Sequence, residues 1–279
     1  MPGRRGRDEE GERWRRIASD RRRGASALGE EALTVLAEDL LRARETTAQA
    51  RRRLRRWARR MGAAQPAMGM FLRWQALLRR EADRPIPRPA RLGRRARREA
   101  LQIRRENERL SRTVARGIAH DRRLATFSRS RAVEGGILRA SARGWRGAVR
   151  CLASDPGGEG RRLARSLRAA GVDARAVPDR AMERTVQWAD RILVGADTLR
   201  PDGELVHKVG TRTLAAIAAR RGKPLTVVAG RSKRLPPWAD RRFRIPPLFD
   251  RTPPRWIGAY WTERGTRPGS VGRGTRSAR

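Results

Sequence analysis

Residues 192–211 read ILVGADTLRPDGELVHKVGT and place a carboxylate, Asp197, and an ammonium group, Lys208, on either side of a short polar segment. A carboxylate after Gly195 and Ala196 emerges with little bulk around it, where it could act as a general base or hold sugar hydroxyls; pairing with Lys208 or capping a turn is the plainer alternative. Lys208 stands out because 65 of the 68 basic residues are arginine, leaving only Lys208, Lys223 and Lys233. Where arginine has displaced nearly every lysine, the survivors mark places that favour a compact ammonium over a planar guanidinium. Gly210 and Thr211 follow Lys208 after Val209, as at a helix start that receives an anion. A second cluster, Ser128, Arg129, Ser130 and Arg131, offers hydroxyls, guanidinium groups and helix-start amides to a phosphate; the alternative is a helix cap with solvated arginines.

The elements that would position these groups follow from hydrophobic patterning. Residues 24–41, 51–60, 69–80 and 91–116 have helical composition, interrupted by Pro66 and by RPIPRP at residues 84–89. After Gly117, short apolar runs at 124–127, 148–153, 174–177, 192–195 and 225–229 alternate with amphipathic helices at 132–142, 159–170, 181–188 and 209–221. Such alternation predicts an α/β fold: a helical N-terminal domain followed by a Rossmann-like parallel-sheet C-terminal domain. The expected division is a basic flexible tail over 1–15, a helical domain over 16–116, a Rossmann-like domain over 117–263 and a disordered Arg/Gly-rich tail over 264–279. In an open parallel sheet, ligands collect at the carboxyl ends of the strands, where residues 128–131, 155–160, Asp197 and 208–211 should converge.

Composition narrows the function classes. A single cysteine, Cys151, excludes an internal disulfide framework, and its apolar strand context makes it a core residue. His120 and His207 lie far apart with no zinc-like spacing, so no metal is expected, and no cofactor. No apolar leader and no membrane-length run is present, which fits a cytoplasmic setting without membrane association. The net charge of +39, with seventeen arginines against three acids in residues 51–100, allows RNA or the ribosome as a partner or, equally, a solvated surface. Base reading is disfavoured, since only one tyrosine and four phenylalanines are available and no RNP-like motif occurs.

Several segments together resemble the family that contains the α, β and δ subunits of translation initiation factor 2B and two sugar-phosphate isomerases, acting on methylthioribose 1-phosphate and ribose 1,5-bisphosphate. The resemblance rests on IASDRRRGASALGEEAL (17–33), AAQPAMGMFLRW (63–74), LATFSRSRAV (124–133), SDPGGEGRRLARSLRAAGV (154–172), VGADTLRPDGELVHKVGT (194–211) and FDRTPPRWIGAYWTERG (249–265). It implies a helical domain joined to a Rossmann-like domain, and homo-oligomers, dimers or larger. In the isomerases a cysteine and an aspartate at the sheet rim interconvert aldose and ketose. The aspartate is matched by Asp197, whereas Ser128 stands at the cysteine's place, and a hydroxyl is a far weaker acid and nucleophile than a thiol. Asp155 replaces an arginine before proline, His207 an asparagine before Lys208, and Gly230 and Arg231 differ ahead of Lys233. The resemblance therefore implies a binding protein of the initiation-factor type, with a sugar phosphate or nucleoside monophosphate held by residues 128–131, Lys208, Gly210, Thr211 and Lys233, and acting through protein partners. The alternatives are an aldose-ketose isomerase using Asp197 and Ser128, and an RNA- or ribosome-associated basic protein.

Overall fold

The computed structural model describes residues 5–20, 23–42, 45–223, 225–240 and 243–269. Five helices come first: α1 (Arg5–Ser19), α2 (Ala25–Arg42), α3 (Thr47–Ala64), α4 (Gly69–Ala82) and α5 (Pro89–Gly117). In α2 the apolar positions Leu28, Ala32, Leu36 and Leu40 recur every three or four residues and all are buried, as a core-facing stripe requires. Thr46 and Gln49 form a reciprocal capping box that starts α3, and Pro89 supplies a preset backbone angle in the first turn of α5. Leu54, Trp57, Ala58 and Met61 make α3 amphipathic, and Arg53, buried beside them, is held by Glu45 and the Asp39 carbonyl.

The flexible tail expected over 1–15 is instead helical from Arg5. Trp14 and Ile17, one turn apart, bury against this core, and the Trp14 ring meets Trp57 edge-on with centroids 5.0 Å apart. Burying two such side chains is worth roughly 3–6 kcal/mol before ordering costs, enough to hold an otherwise charged helix in place.

The second half alternates as the patterning predicts: β1 (Arg123–Phe127), α6 (Arg131–Ser141), β2 (Ala148–Leu152), α7 (Glu159–Ala169), β3 (Ala174–Val177), α8 (Met182–Trp188) and β4 (Arg191–Val194). A two-residue strand β5 (Thr198–Leu199) and β6 (Leu205–Lys208) then form a hairpin, followed by α9 (Thr211–Arg220), β7 (Leu225–Val228), the single-turn α10 (Pro237–Asp240), β8 (Phe249–Thr252), β9 (Ile257–Thr262) and β10 (Gly265–Pro268). The main sheet has the order β10-β9-β7-β4-β1-β2-β3, parallel except for β10. A small antiparallel sheet, β5-β6-β8, sits beside it. All five expected strands are present. The tail expected to be disordered from 264 contributes β10 through Gly265–Pro268, which pairs with β9 along its whole length; residues 270–279 lie outside the described residues.

The two halves are joined by more than a linker. Leu92, Ala96, Ala100 and Ile103 of α5 belong to the helical core, while Leu110, Val114 and Ala115 of the same helix pack under the sheet with α6. A second junction is polar. Helix α4 begins at Met68 without a side-chain cap, and its first amide, Gly69 N–H, donates instead to Thr198 Oγ1 of β5 at 2.7 Å. The same hydroxyl donates to Ala67 O at 2.9 Å, so one fully buried threonine satisfies two backbone groups of the opposite half.

Candidate functional site

Strand order reverses between β1 and β4, the place where an open parallel sheet presents a crevice at its carboxyl ends. A cavity of about 610 Å³ lies there. Ser128 and Ser130 follow β1, Gly195 and Asp197 follow β4, Glu159 begins α7, and His207 and Lys208 end β6; all line it. The opposite wall comes from the helical half: Gly24, Ala25 and Ser26 at the start of α2, Gln65 to Met68, and Glu106 of α5. Gly195 is required by close approach, because a Cβ there would sit 2.7 Å from that of Ser130.

Two of the three lysines reach this cavity. Lys208, buried at the end of β6, donates to Glu159 Oε1 at 3.3 Å, while Glu159 Oε2 is buried without a partner. Lys233 has no ion pair or hydrogen bond to its ammonium among the described residues, and burial pulls it down to about 8 despite the opposing influence of Asp197 and Glu106. Asp197, half-buried, is pushed up to about 6 by burial, with Lys233 the chief opposing influence. Lys223 lies elsewhere and is structural: its ammonium donates to the Ala189 carbonyl at 2.8 Å, closing the C-terminal end of α8.

His207 is fixed by a short relay. Thr211 Oγ1 donates to Lys208 O at 2.6 Å, so towards His207 Nδ1, 3.0 Å away, it acts as the acceptor. Nδ1 therefore carries the proton and Nε2 presents a lone pair. Burial, reinforced by Lys233 and Lys208, depresses the imidazole to about 3, which keeps it neutral across the physiological range.

The segment after β1 is held by unusual backbone geometry. Ser128 and Ser154 both have φ of 63°, and the Ser128 amide donates to Ser154 Oγ at 2.7 Å. The Ser154 and Asp155 amides both donate to the Asp179 carboxylate at 2.8 Å. Ser130 caps α6, whose first turn faces the cavity together with that of α2. These two helix starts supply partial positive charge and amides without side-chain acids in the α2 first turn. Arg129 is held by both oxygens of Glu134 at 2.9 Å, and Arg131 by Glu30 at 2.8 Å.

Asp197, Ser128, Arg129, Ser130, Arg131, Lys208 and Lys233 thus line one cavity. Gly210 and Thr211 do not line the cavity. The anion position at the α9 start is filled by the protein itself, because Asp250 accepts from the Gly210 and Arg212 amides at 2.8 and 3.0 Å, and Thr211 serves the His207 relay. Asp155 is exposed and forms a two-pronged pair with Arg161 outside the cavity, so its charge is neutralised there. Sequence reasoning missed Glu159, which the glycine-rich turn disguised, and also Glu106 and the free lone pair of His207. Cys151 is buried in β2 with its thiol pushed up to about 12 by burial, which makes it inert as a nucleophile. Among the described residues no group of three His, Cys, Asp or Glu side chains forms a metal site, and no helix is long and apolar enough to cross a membrane.

A family model described as the Initiation factor 2 subunit family matches residues 21–243. Among curated relatives, a ribose 1,5-bisphosphate isomerase of Haloterrigena turkmenica is 44% identical over 71 residues, covering 25% of this chain and 22% of that protein. The match to the corresponding protein of Haloferax volcanii covers 42% of its length, so the aligned regions are less than half of either relative. Among solved structures, the translation initiation factor eIF-2B of Pyrococcus horikoshii OT3 superposes with a TM-score of 0.80 at 24% identity, over 95% of this chain and 97% of that one. The tetrameric eIF2B-beta2-delta2 complex from C. thermophilum contains a chain with a TM-score of 0.72 at 17% identity, over 94% and 91% of the two chains. At these identities the two superpositions establish the shared fold.

Proposed function

The chain belongs to the Initiation factor 2 subunit family, and from that premise we propose that its cavity binds a sugar phosphate or nucleoside monophosphate without turning it over, the protein acting through partners in an oligomer of two or more copies. One observation carries this reading: Lys233, whose ammonium has no ion pair or hydrogen bond among the described residues, lines the cavity with the starts of α2 and α6, while the rim position after β1 presents the Ser128 hydroxyl and the thiol of Cys151 is sealed in the core. The phosphate fits between Lys233 and the starts of α2 and α6. Sugar hydroxyls then meet acceptors at Asp197, Glu159 Oε2 and His207 Nε2, the last held in the accepting tautomer by Thr211. A ligand of this kind supplies hydrogen-bond donors to a buried carboxylate oxygen that otherwise has none.

A second reading, an aldose-ketose isomerase, is favoured by Asp197, because a carboxylate near pH 6 is suited to exchange protons with a sugar carbon. The two are separated by incubating the purified protein with ribose 1,5-bisphosphate, methylthioribose 1-phosphate and AMP, measuring heat of binding and ketose formation in parallel. Saturable binding with no ketose supports the binding protein. Ketose that disappears in Asp197→Asn replaces it with the isomerase, and absence of binding to all three removes both.

A further inference from the structure

A second depression, about 1000 Å³ in volume, runs between α4 and α5 and is separated from the sugar-phosphate cavity by Glu106, which lines both. Ten arginines and four glutamates line it, an excess of six positive charges. Five of those arginines, Arg91, Arg95, Arg98, Arg105 and Arg109, recur at intervals of three, four or seven along α5 and therefore share one face. With a rise of 1.5 Å per residue the row is about 27 Å long and offers a guanidinium roughly every turn. Arg80 of α4 faces it, and Arg231 and Arg264 close one end.

Several arginines elsewhere are matched with acids, as in Arg53 with Glu45, Arg131 with Glu30 and Arg200 with Asp240. In the groove only Arg73, paired with Glu99, and Arg84, 3.7 Å from Glu81, have such partners among the described residues. The charges in the groove press on one another: burial and the nearness of Arg95 and Arg231 pull Arg73 below its ordinary range. Arg95 is fixed over the buried Trp74 ring, 5.9 Å from its centroid, so at least part of the row is preorganised.

We propose that this groove binds the phosphate backbone of a single nucleic-acid strand. Guanidinium forks match phosphate oxygens two at a time, and a regular row of them matches a regular row of charges. An acidic protein partner fits less well, because stable protein interfaces need a desolvated apolar or aromatic anchor. The apolar lining is Leu77, Leu92 and Ile103, of which Leu92 and Ile103 are already committed to the core. No aromatic ring lines the groove on which a base could stack, so the contact is made to phosphates and is indifferent to sequence.

The test uses the full chain and fluorescently labelled 20-nucleotide RNA and DNA strands of mixed sequence, titrated at several salt concentrations. Arg95, Arg98 and Arg105 are changed together to Gln, and in a control of equal charge Arg94, Arg97 and Arg104, exposed on α5 outside the groove lining, are changed likewise. The groove variant is expected to lose at least about tenfold in affinity at moderate salt, and its log–log salt slope should fall by about two, the release expected for three lost phosphate contacts. The control should change by less than about threefold, with RNA and DNA affected alike and melting temperatures of both variants near that of the parent. Equal losses in the two variants would make the binding diffuse and overturn the proposal. So would failure of the parent to bind either strand, or competition by polyglutamate as effective as that by unlabelled RNA.

Discussion

Replacing Thr198 by Val keeps the side-chain shape and deletes the one hydroxyl that ties β5 to the start of α4. Thr198 is fully buried, and its hydroxyl accepts from Gly69 N–H at 2.7 Å and donates to Ala67 O at 2.9 Å. Valine leaves both backbone groups buried without partners, at about 1–3 kcal/mol each, so the expected loss is roughly 2–6 kcal/mol. That is a large share of the ~5–15 kcal/mol that separates folded from unfolded states in ordinary domains. Urea unfolding followed by circular dichroism should show the lower midpoint with an unchanged slope. Thr198→Ser keeps the hydroxyl and loses one buried methyl, for which about 1 kcal/mol is expected. The ordering Thr, Ser, Val is the discriminating result. A Val variant within ~0.5 kcal/mol of the parent, or a Ser variant less stable than Val, refutes the assignment of the hydroxyl as the cap of α4.

Three further outcomes follow from the cavity. His207 is held near 3 against 6.5 when unfolded, so the unfolded chain binds more protons between those values, and stability contributed by the neutral ring is full above pH 6.5 and declines as pH falls towards 3; Asp197, raised to about 6, acts in the opposite sense between 3.8 and 6, and urea midpoints of His207→Asn across that range should show a flatter acid limb than the parent. Because Lys233 loses its proton near pH 8, affinity for a phosphate ligand, measured by titration calorimetry, should weaken as pH rises through that value, and Lys233→Met should bind more weakly and lack the inflection. In Gly195→Ala the new methyl must displace Ser130 and the α6 start, so melting should show a loss of roughly 1–3 kcal/mol, typical of overpacking, with weakened ligand binding.

Most of the architecture was legible because five of the six parallel strands are apolar runs, and four amphipathic helices alternate with them. The hairpin β5–β6 was not, since β5 has two residues and all four residues of β6 are buried, which removes the alternation that marks a strand. Helix α1 was hidden by its charge: among its described residues the large apolar side chains it buries are Trp14 and Ile17, too few to outweigh a composition that reads as a tail. In the site, rarity pointed to Lys208 and Lys233, and the strand-end rule brought Ser128 and Asp197 to them. Glu159 escaped because a carboxylate at a helix start is ordinary in sequence, and Asp250 because it lies in β8, 38 residues after the Arg212 amide it accepts from at the α9 start; only the fold shows that one borders the cavity with an unmatched oxygen while the other occupies an anion position.

Helix α5 enters both hydrophobic cores without a break, and Thr198 pins the cavity's two walls together at a second point. Two attachments of this stiffness remove the hinge by which a cleft between lobes ordinarily shuts on its contents. A ligand of the proposed kind would meet a width already set by these two attachments, and its association should proceed in a single kinetic phase.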